Sequence, residues 1–227
     1  MEKKKKENKV NRLKSFFDLK WWFYDFVKVT GFIPGMLFFR PKFVYLNKES
    51  KKEFKRESIM IAANHRGFMD PFIMVGVFYF KRVGVIATKD LFDTKFKNAL
   101  FHGFRAVCID KENVGISTFK EVNKIANDGH SVGIFPEGTV VHETDSLNEF
   151  KPGVIMMAKM AKLPIYPVYF SAKKKKLSRQ VIIIGEKFDL NEQLNGRKPN
   201  SQTYAEMANE LREKMLVLEK LSKDKYE

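Results

Sequence analysis

The stretch "SIMIAANHRGFMDPFIMVGVFYF", residues 58–80, passes from one apolar run to another through a polar turn, and its punctuation decides the fold. Ser58 to Ala63 has the length and apolar density of a buried strand. Asp70-Pro71 then reads as a helix opening, with Asp as N-cap and Pro as the first helical residue, and residues 71–80 continue as a helix. A strand, a tight turn and a helix make half of a βαβ unit.

The alternation continues downstream. Strand-like runs lie at Val83 to Ala87, Ala106 to Asp110, Val132 to Phe135, Ile165 to Phe170 and Val181 to Gly185. Helical stretches fall near 93–103, 117–128 and 153–161, so the pattern predicts an α/β fold with a mostly parallel sheet flanked by helices. Thr118 with Glu121 reads as a capping box, and Gly129 as a left-handed stop. The last two strands join through "SAKKKKLSRQ", residues 171–180, which is short enough for a hairpin and makes the sheet mixed. A closing helix over 204–221, opened by a Thr203 and Glu206 capping box, aligns Met207, Leu211, Met215 and Leu218 on one face.

The 227 residues, 44% of them hydrophobic, suffice for one full core. A net charge of +15 makes the surface attractive to anions: nucleic acid, anionic lipid or acidic small molecules. One cysteine, Cys108, excludes an intramolecular disulfide framework and any multi-cysteine metal site. The longest unbroken apolar stretch, Pro71 to Phe80, has about half the ~20 residues that a membrane span needs. No signal-type apolar region follows Lys3 to Lys6, so the chain is expected on the cytoplasmic side.

Residues 12–40 hold two tryptophans, seven phenylalanines and a tyrosine among charged residues. With Gly31 and Pro34-Gly35 near the middle, they read as a pair of short amphipathic helices, suited either to the plane of a membrane interface or to packing on the domain's own core.

His65 and Asp70 lie five positions apart, about 140° around a helix axis, so one helix cannot present both on one face. With His65 in the turn at the carboxyl end of a parallel strand, the edge where α/β sheets bind ligands, a carboxylate at the next helix start can fix its tautomer. Either these two are a base and its orienting acid, or Asp70 is a cap and His65 a polar turn residue.

Asn64, His65, Asp70 and Pro71 resemble the NHxxxxD signature of the glycerolipid acyltransferases, the lysophosphatidic acid acyltransferases among them. "IFPEGT" at 134–139 is similar to that family's FPEGT block, "FKPGVIMMA" at 150–158 to the segment after it, "LPIYPV" at 163–168 to its fourth block and "VCIDK" at 107–111 to its second. Several blocks in order, over roughly residues 58–186, are far more specific than one. The resemblance implies a glycerol-3-phosphate acyltransferase-like fold; together with the aromatic-rich helical pair before it, the chain is expected to divide into membrane-associating helices at 1–45 and an acyltransferase domain at 46–227. The resemblance also implies that His65 removes the acceptor hydroxyl proton and Asp70 orients it, with Asn64, Lys111, Glu137, Gly138 and Thr139 binding substrate; Arg105 and Lys151 join that set as nearby cations. Amides around Asn64 to Gly67 or in the Pro136 to Thr139 turn would hold the oxyanion. The acyl donor would be acyl-CoA or acyl carrier protein and the acceptor a lysophospholipid, lysophosphatidic acid first, giving phosphatidic acid at the cytoplasmic face of an anionic phospholipid membrane. No metal and no bound cofactor are implied.

The chain departs from the family at two phosphate positions. Lys111 stands where the second block usually ends in arginine, and Val140 where the third usually has one. Lysine holds a phosphate as a point charge; valine holds none. Lys151, Arg105 or Lys89 then supplies the missing cation, or the acceptor is another lysophospholipid or hydroxylated lipid. Glu137 either binds the acceptor or holds backbone amides. Cys108 and Phe135 read as packing residues, and His102, His130 and His142 as surface residues. A basic membrane-binding protein without chemistry is the competing class. Nucleic acid is not expected, because no recognition motif accompanies the charge, and the absence of a Gly-x-Ser-x-Gly elbow argues against an esterase.

Overall fold

A computed structural model describes residues 21–67, 69–110, 115–141, 146–172, 178–194, 196 and 198–226. Their seven strands are β1 (Lys42–Tyr45), β2 (Met60–Ala63), β3 (Val83–Thr88), β4 (Val107–Ile109), β5 (Ser131–Ile134), β6 (Ile165–Phe170) and β7 (Val181–Ile184). They form one sheet in the order β1-β7-β6-β2-β5-β3-β4. Strands β2 to β6 run parallel, β7 runs antiparallel to β6, and β1 pairs parallel with β7, so the sheet is mixed at one end.

The helices are α1 (Trp22–Phe39), α2 (Lys48–Arg56), α3 (Asp70–Val77), α4 (Lys95–Gly103), α5 (Ile116–Asn127), α6 (Gly153–Met160), α7 (Leu190–Leu194) and α8 (Ser201–Lys225). One face of the sheet is covered by Phe54 of α2 and by Ile73, Met74 and Val77 of α3. The other is covered by the apolar faces of α5, α6 and α8. Gly133 in β5 lets α3 approach closely, since a Cβ there would run into the Met74 sulfur.

Several local expectations are corrected. β1 was not among the six strand runs, because "KFVY" is too short to show alternation, and α2, "KESKKEFKR", carries a single aromatic and no apolar period. What forms α2 is its cap: the Asn47 side chain accepts from Ser50 N at 2.6 Å. The Thr118 box does not exist; Gly115 precedes α5, and the Thr118 hydroxyl donates to Cys108 O at 2.9 Å. At α8 the box sits three residues earlier, with Asn200 as cap and Thr203 as its partner. The break expected at Gly31 and Pro34-Gly35 is absent: α1 runs continuously through them, and residues 12–20 of that segment lie outside the described residues. Proline lacks an N–H, so the helix gives up one backbone bond and continues on the rest.

α1 lies on α3 and carries two surfaces. Inward, Trp21 and Tyr24 are fully buried, the Tyr24 hydroxyl accepts from Val83 N at 2.9 Å, and Lys28 Nζ donates to Phe78 O at 3.0 Å and to Lys81 O. Outward, Trp22, Phe26, Val29, Ile33 and Leu37, at helical spacing, are all exposed. Among the described residues no helix is long and apolar enough to cross a membrane.

Candidate active site

β2 ends at Ala63, and the next residue ties the turn to the sheet. Asn64 is fully buried; its Nδ2 donates to Phe170 O at 3.1 Å and its Oδ1 accepts from Phe170 N at 2.7 Å, continuing the β2–β6 pairing through a side chain. His65 follows. Its backbone N–H donates to Glu137 Oε1 at 3.0 Å and its carbonyl accepts from Val141 N at 2.8 Å. Its ring stacks on Phe135, centroids 4.3 Å apart and planes 24° from parallel.

The Nδ1 of His65 stands 3.0 Å from Asp70 Oδ2. The same oxygen accepts from Arg66 N at 2.6 Å and Gly67 N at 2.8 Å. Asp70 is therefore not the N-cap of α3, as its position before Pro71 suggested; α3 begins at Asp70 itself, after Met69, without a side-chain cap. Its carboxylate turns back into the preceding loop instead. A carboxylate only accepts, so Nδ1 carries the hydrogen and Nε2 keeps the lone pair that takes a proton.

Two more charges frame the loop. Glu137 is 2% exposed and both its oxygens are committed, Oε1 to His65 N and Oε2 to Asn148 N at 3.0 Å. Burial raises its pKa against the lowering effect of those amides and of Arg66. Arg66 Nη2 meets Glu219 Oε1 of α8 at 2.8 Å in a pair nearly shut from solvent, and Lys223 Nζ joins the same oxygen at 3.0 Å. Burial disfavours the guanidinium's charge, yet the Tyr169 hydroxyl and Glu219 more than offset that, and its pKa lies above the ordinary value.

Beside the imidazole opens a cavity of about 670 Å3, lined by Phe72 and Val75 of α3, Phe104, Phe135 and Met157, with Gly138, Thr139, Val140 and Lys151 on its more open side. Gly138 adopts φ +71, a left-handed turn that favours glycine. The structure thus brings His65, Glu137, Gly138, Thr139 and Lys151 together around one cavity, with Asp70 behind the imidazole and Asn64 behind the turn.

Other residues fall elsewhere. Arg105 does not line this cavity; its backbone is left-handed and its guanidinium lies over the Trp21 ring, 5.4 Å from the centroid. Lys89 is exposed, 3.8 Å from Asp110. Lys111 and His142 lie outside the described residues. His130, expected at the surface, is 6% exposed with its ring 4.5 Å from Trp21, because α1 covers it. His102 is exposed; Cys108 is half-buried, and burial pushes its thiol up. Among the described residues no group of His, Cys, Asp or Glu could hold a metal ion.

Arg66, Tyr169, Asn148 and Glu219 were not singled out from sequence. Glu219 had a signal: it follows Leu218 on the apolar face of α8, and a charge on a buried face needs a buried partner.

A family model described as Acyltransferase matches residues 44–171. The 1-acyl-sn-glycerol-3-phosphate acyltransferase of Bacillus subtilis is 30% identical over 70% of this chain and 80% of its own length. The Borreliella burgdorferi protein of the same name is 31% identical over 50% of this chain, and the Streptococcus pneumoniae one 29% over 60%. The chain spans about half of these two, 46% and 48%. The crystal structure of the 1-acyl-sn-glycerophosphate acyltransferase PlsC of Thermotoga maritima superposes with a TM-score of 0.58 over 94% of this chain and 87% of that one, at 17% identity, which establishes likeness of fold.

Proposed function

This chain belongs to the acyltransferase family, and on that premise we propose that it transfers an acyl group from a thioester to the free hydroxyl of a 1-acylglycerol-3-phosphate, giving phosphatidic acid. The observation that carries this reading is the His65 Nδ1 to Asp70 Oδ2 contact of 3.0 Å beside an apolar cavity large enough for a lipid chain.

Nε2 of His65 takes the proton of the acceptor hydroxyl as its oxygen attacks the thioester carbon, while Asp70 stabilises the imidazolium that forms. The tetrahedral oxyanion collapses, the carbon–sulfur bond breaks, and the imidazolium returns its proton to the departing thiolate. No covalent enzyme intermediate is needed. The amides of His65, Arg66 and Gly67 are already bound to Glu137 and Asp70; in the Pro136 to Thr139 turn proline has no N–H and Gly138 N donates to Phe135 O, which leaves the amides of Glu137 and Thr139 as the better-placed oxyanion donors. Phe135 covers one face of the base and keeps water from it.

Lys151 is the basic side chain on the cavity lining among the described residues, so it takes the acceptor phosphate where Val140 has no charge to offer. The exposed row from Trp22 to Leu37 on α1 supports peripheral attachment to an anionic bilayer, from which the acceptor is drawn. The donor is acyl-CoA or acyl carrier protein.

Purified protein supplied with labelled acyl-CoA or acyl carrier protein, lysophosphatidic acid and vesicles should form phosphatidic acid, and His65→Ala should not. A full rate from His65→Ala, or no product from either donor with any lyso acceptor, sinks this assignment.

A further inference from the structure

At the opposite edge of the sheet from His65, where β2, β3 and β5 begin, a cleft of about 870 Å3 opens between α1, the end of α2 and the turn after α3. Five basic residues line it, Lys28, Lys55, Arg56, Lys81 and Arg82, against two acidic ones, Asp25 and Glu57. The inner cations are fixed by the fold: Lys28 Nζ on the carbonyls of Phe78 and Lys81, Lys81 Nζ on Glu57 O, and Arg82 on both Asp25 oxygens. Lys55 and Arg56 stand exposed at the margin.

The excess of basic over acidic groups held in a recess concentrates potential there more than the same charges on a flat surface would. Burial lowers the Lys28 pKa to about 7, so an arriving anion would restore its charge. Val29 belongs both to the cleft lining and to the exposed apolar row of α1, with Phe26 one turn away. Charge in the recess and apolar surface at its lip match the two ends of one kind of molecule.

We propose that this cleft is a second lipid site, which takes the phosphate headgroup of an anionic phospholipid in the leaflet while that lipid's chains lie along Phe26, Val29 and Trp22. It is separate from the acceptor site and takes no part in acyl transfer. It rests on the reading of α1 as the membrane-facing helix. α1 begins beside His130 at this edge and ends where Phe39 O accepts from Gln180 N, next to β7 at the His65 edge. A headgroup held at its first turn therefore fixes how the whole face lies on the bilayer.

Vesicle flotation of the full chain tests this, with phosphatidylcholine alone and with phosphatidylcholine mixed with phosphatidylglycerol. Lys55→Glu with Arg56→Glu alters the cleft; Lys120→Glu with Lys124→Glu, on exposed positions of α5 over the other face, makes the same charge change elsewhere. The cleft variant should lose at least tenfold more affinity for the anionic vesicles than the α5 variant does. It should keep wild-type binding to phosphatidylcholine and wild-type activity in neutral detergent, which reports that it is folded. Equal losses in both variants would reduce the effect to bulk charge and overturn the site while leaving membrane attachment standing. Binding to no vesicle by the wild type would overturn both. Inorganic phosphate or soluble glycerol phosphate that displaces the anionic vesicles at its own binding concentration would show a free-anion site and overturn the lipid assignment.

Discussion

Asp70→Asn separates the charge of this carboxylate from its geometry. Three donors, His65 Nδ1, Arg66 N and Gly67 N, converge on one oxygen at 3.0, 2.6 and 2.8 Å. An asparagine whose carbonyl oxygen takes that place keeps all three bonds, and with them the ring orientation and the tautomer. What disappears is the negative charge that stabilises the imidazolium in the transition state. Unit charges about 4 Å apart interact by about 4 kcal/mol at an effective dielectric constant of ~20. That corresponds to about a thousandfold in kcat at ~1.4 kcal/mol per decade. Stability should change by under about 2 kcal/mol, a few degrees in Tm for a chain of this size. Product formation under saturating donor and acceptor gives the rate, and a thermal melt gives the stability. A variant within tenfold of wild type would refute the role of the charge. A melt lowered by ten degrees or more with the lost rate would show that the loop had collapsed.

Glu219→Gln leaves Arg66 with a neutral partner in a nearly closed site, which should lower stability by about 3 kcal/mol and reduce kcat more than it raises KM, measured by denaturant unfolding and steady-state kinetics. Lys28 has a folded pKa of about 7 against an ordinary 10.5, so between those values the unfolded chain binds more protons and stability rises with pH. That contribution, a few kcal/mol at most, is present above pH 10.5 and gone once pH falls below 7. Lys28→Met should flatten the wild-type slope between pH 7 and 10 in urea-unfolding midpoints; an unchanged slope would refute the burial of that charge. Lys151→Ala should raise KM for lysophosphatidic acid about tenfold or more and leave an uncharged acceptor unaffected, and adding Val140→Arg should recover much of the loss; equal effects on both acceptors would remove Lys151 from the phosphate.

The sheet was legible because buried parallel strands are continuous apolar runs, as Met60 to Ala63 and Ile165 to Phe170 are, and the turns between them carry Gly and Pro. β1 and α2 were not, since four residues show no period and nine mostly charged ones hold together through Asn47 and the burial of Phe54. At the site, the place of His65 and Asp70 between strand and helix left two readings open, and the resemblance to the acyltransferase motif favoured the base and its orienting acid. The direction of the Asp70 side chain could not, because a helix N-cap and a backward-turned acceptor share one sequence. Arg66 and Glu219 lie 153 positions apart, and nothing local in a chain announces a pair at that separation.

The convergence of three donors on one Asp70 oxygen also sets how many residues can separate the acid from the base. The segment from His65 closes on itself like a clasp, and its circumference is determined by two successive amides and a ring nitrogen reaching a common point. One residue more would carry Gly67 past that point, and one fewer would pull the imidazole off it. Chain length there is not adjustable, so a single insertion or deletion between His65 and Asp70 would be harsher than replacement of the residues in between.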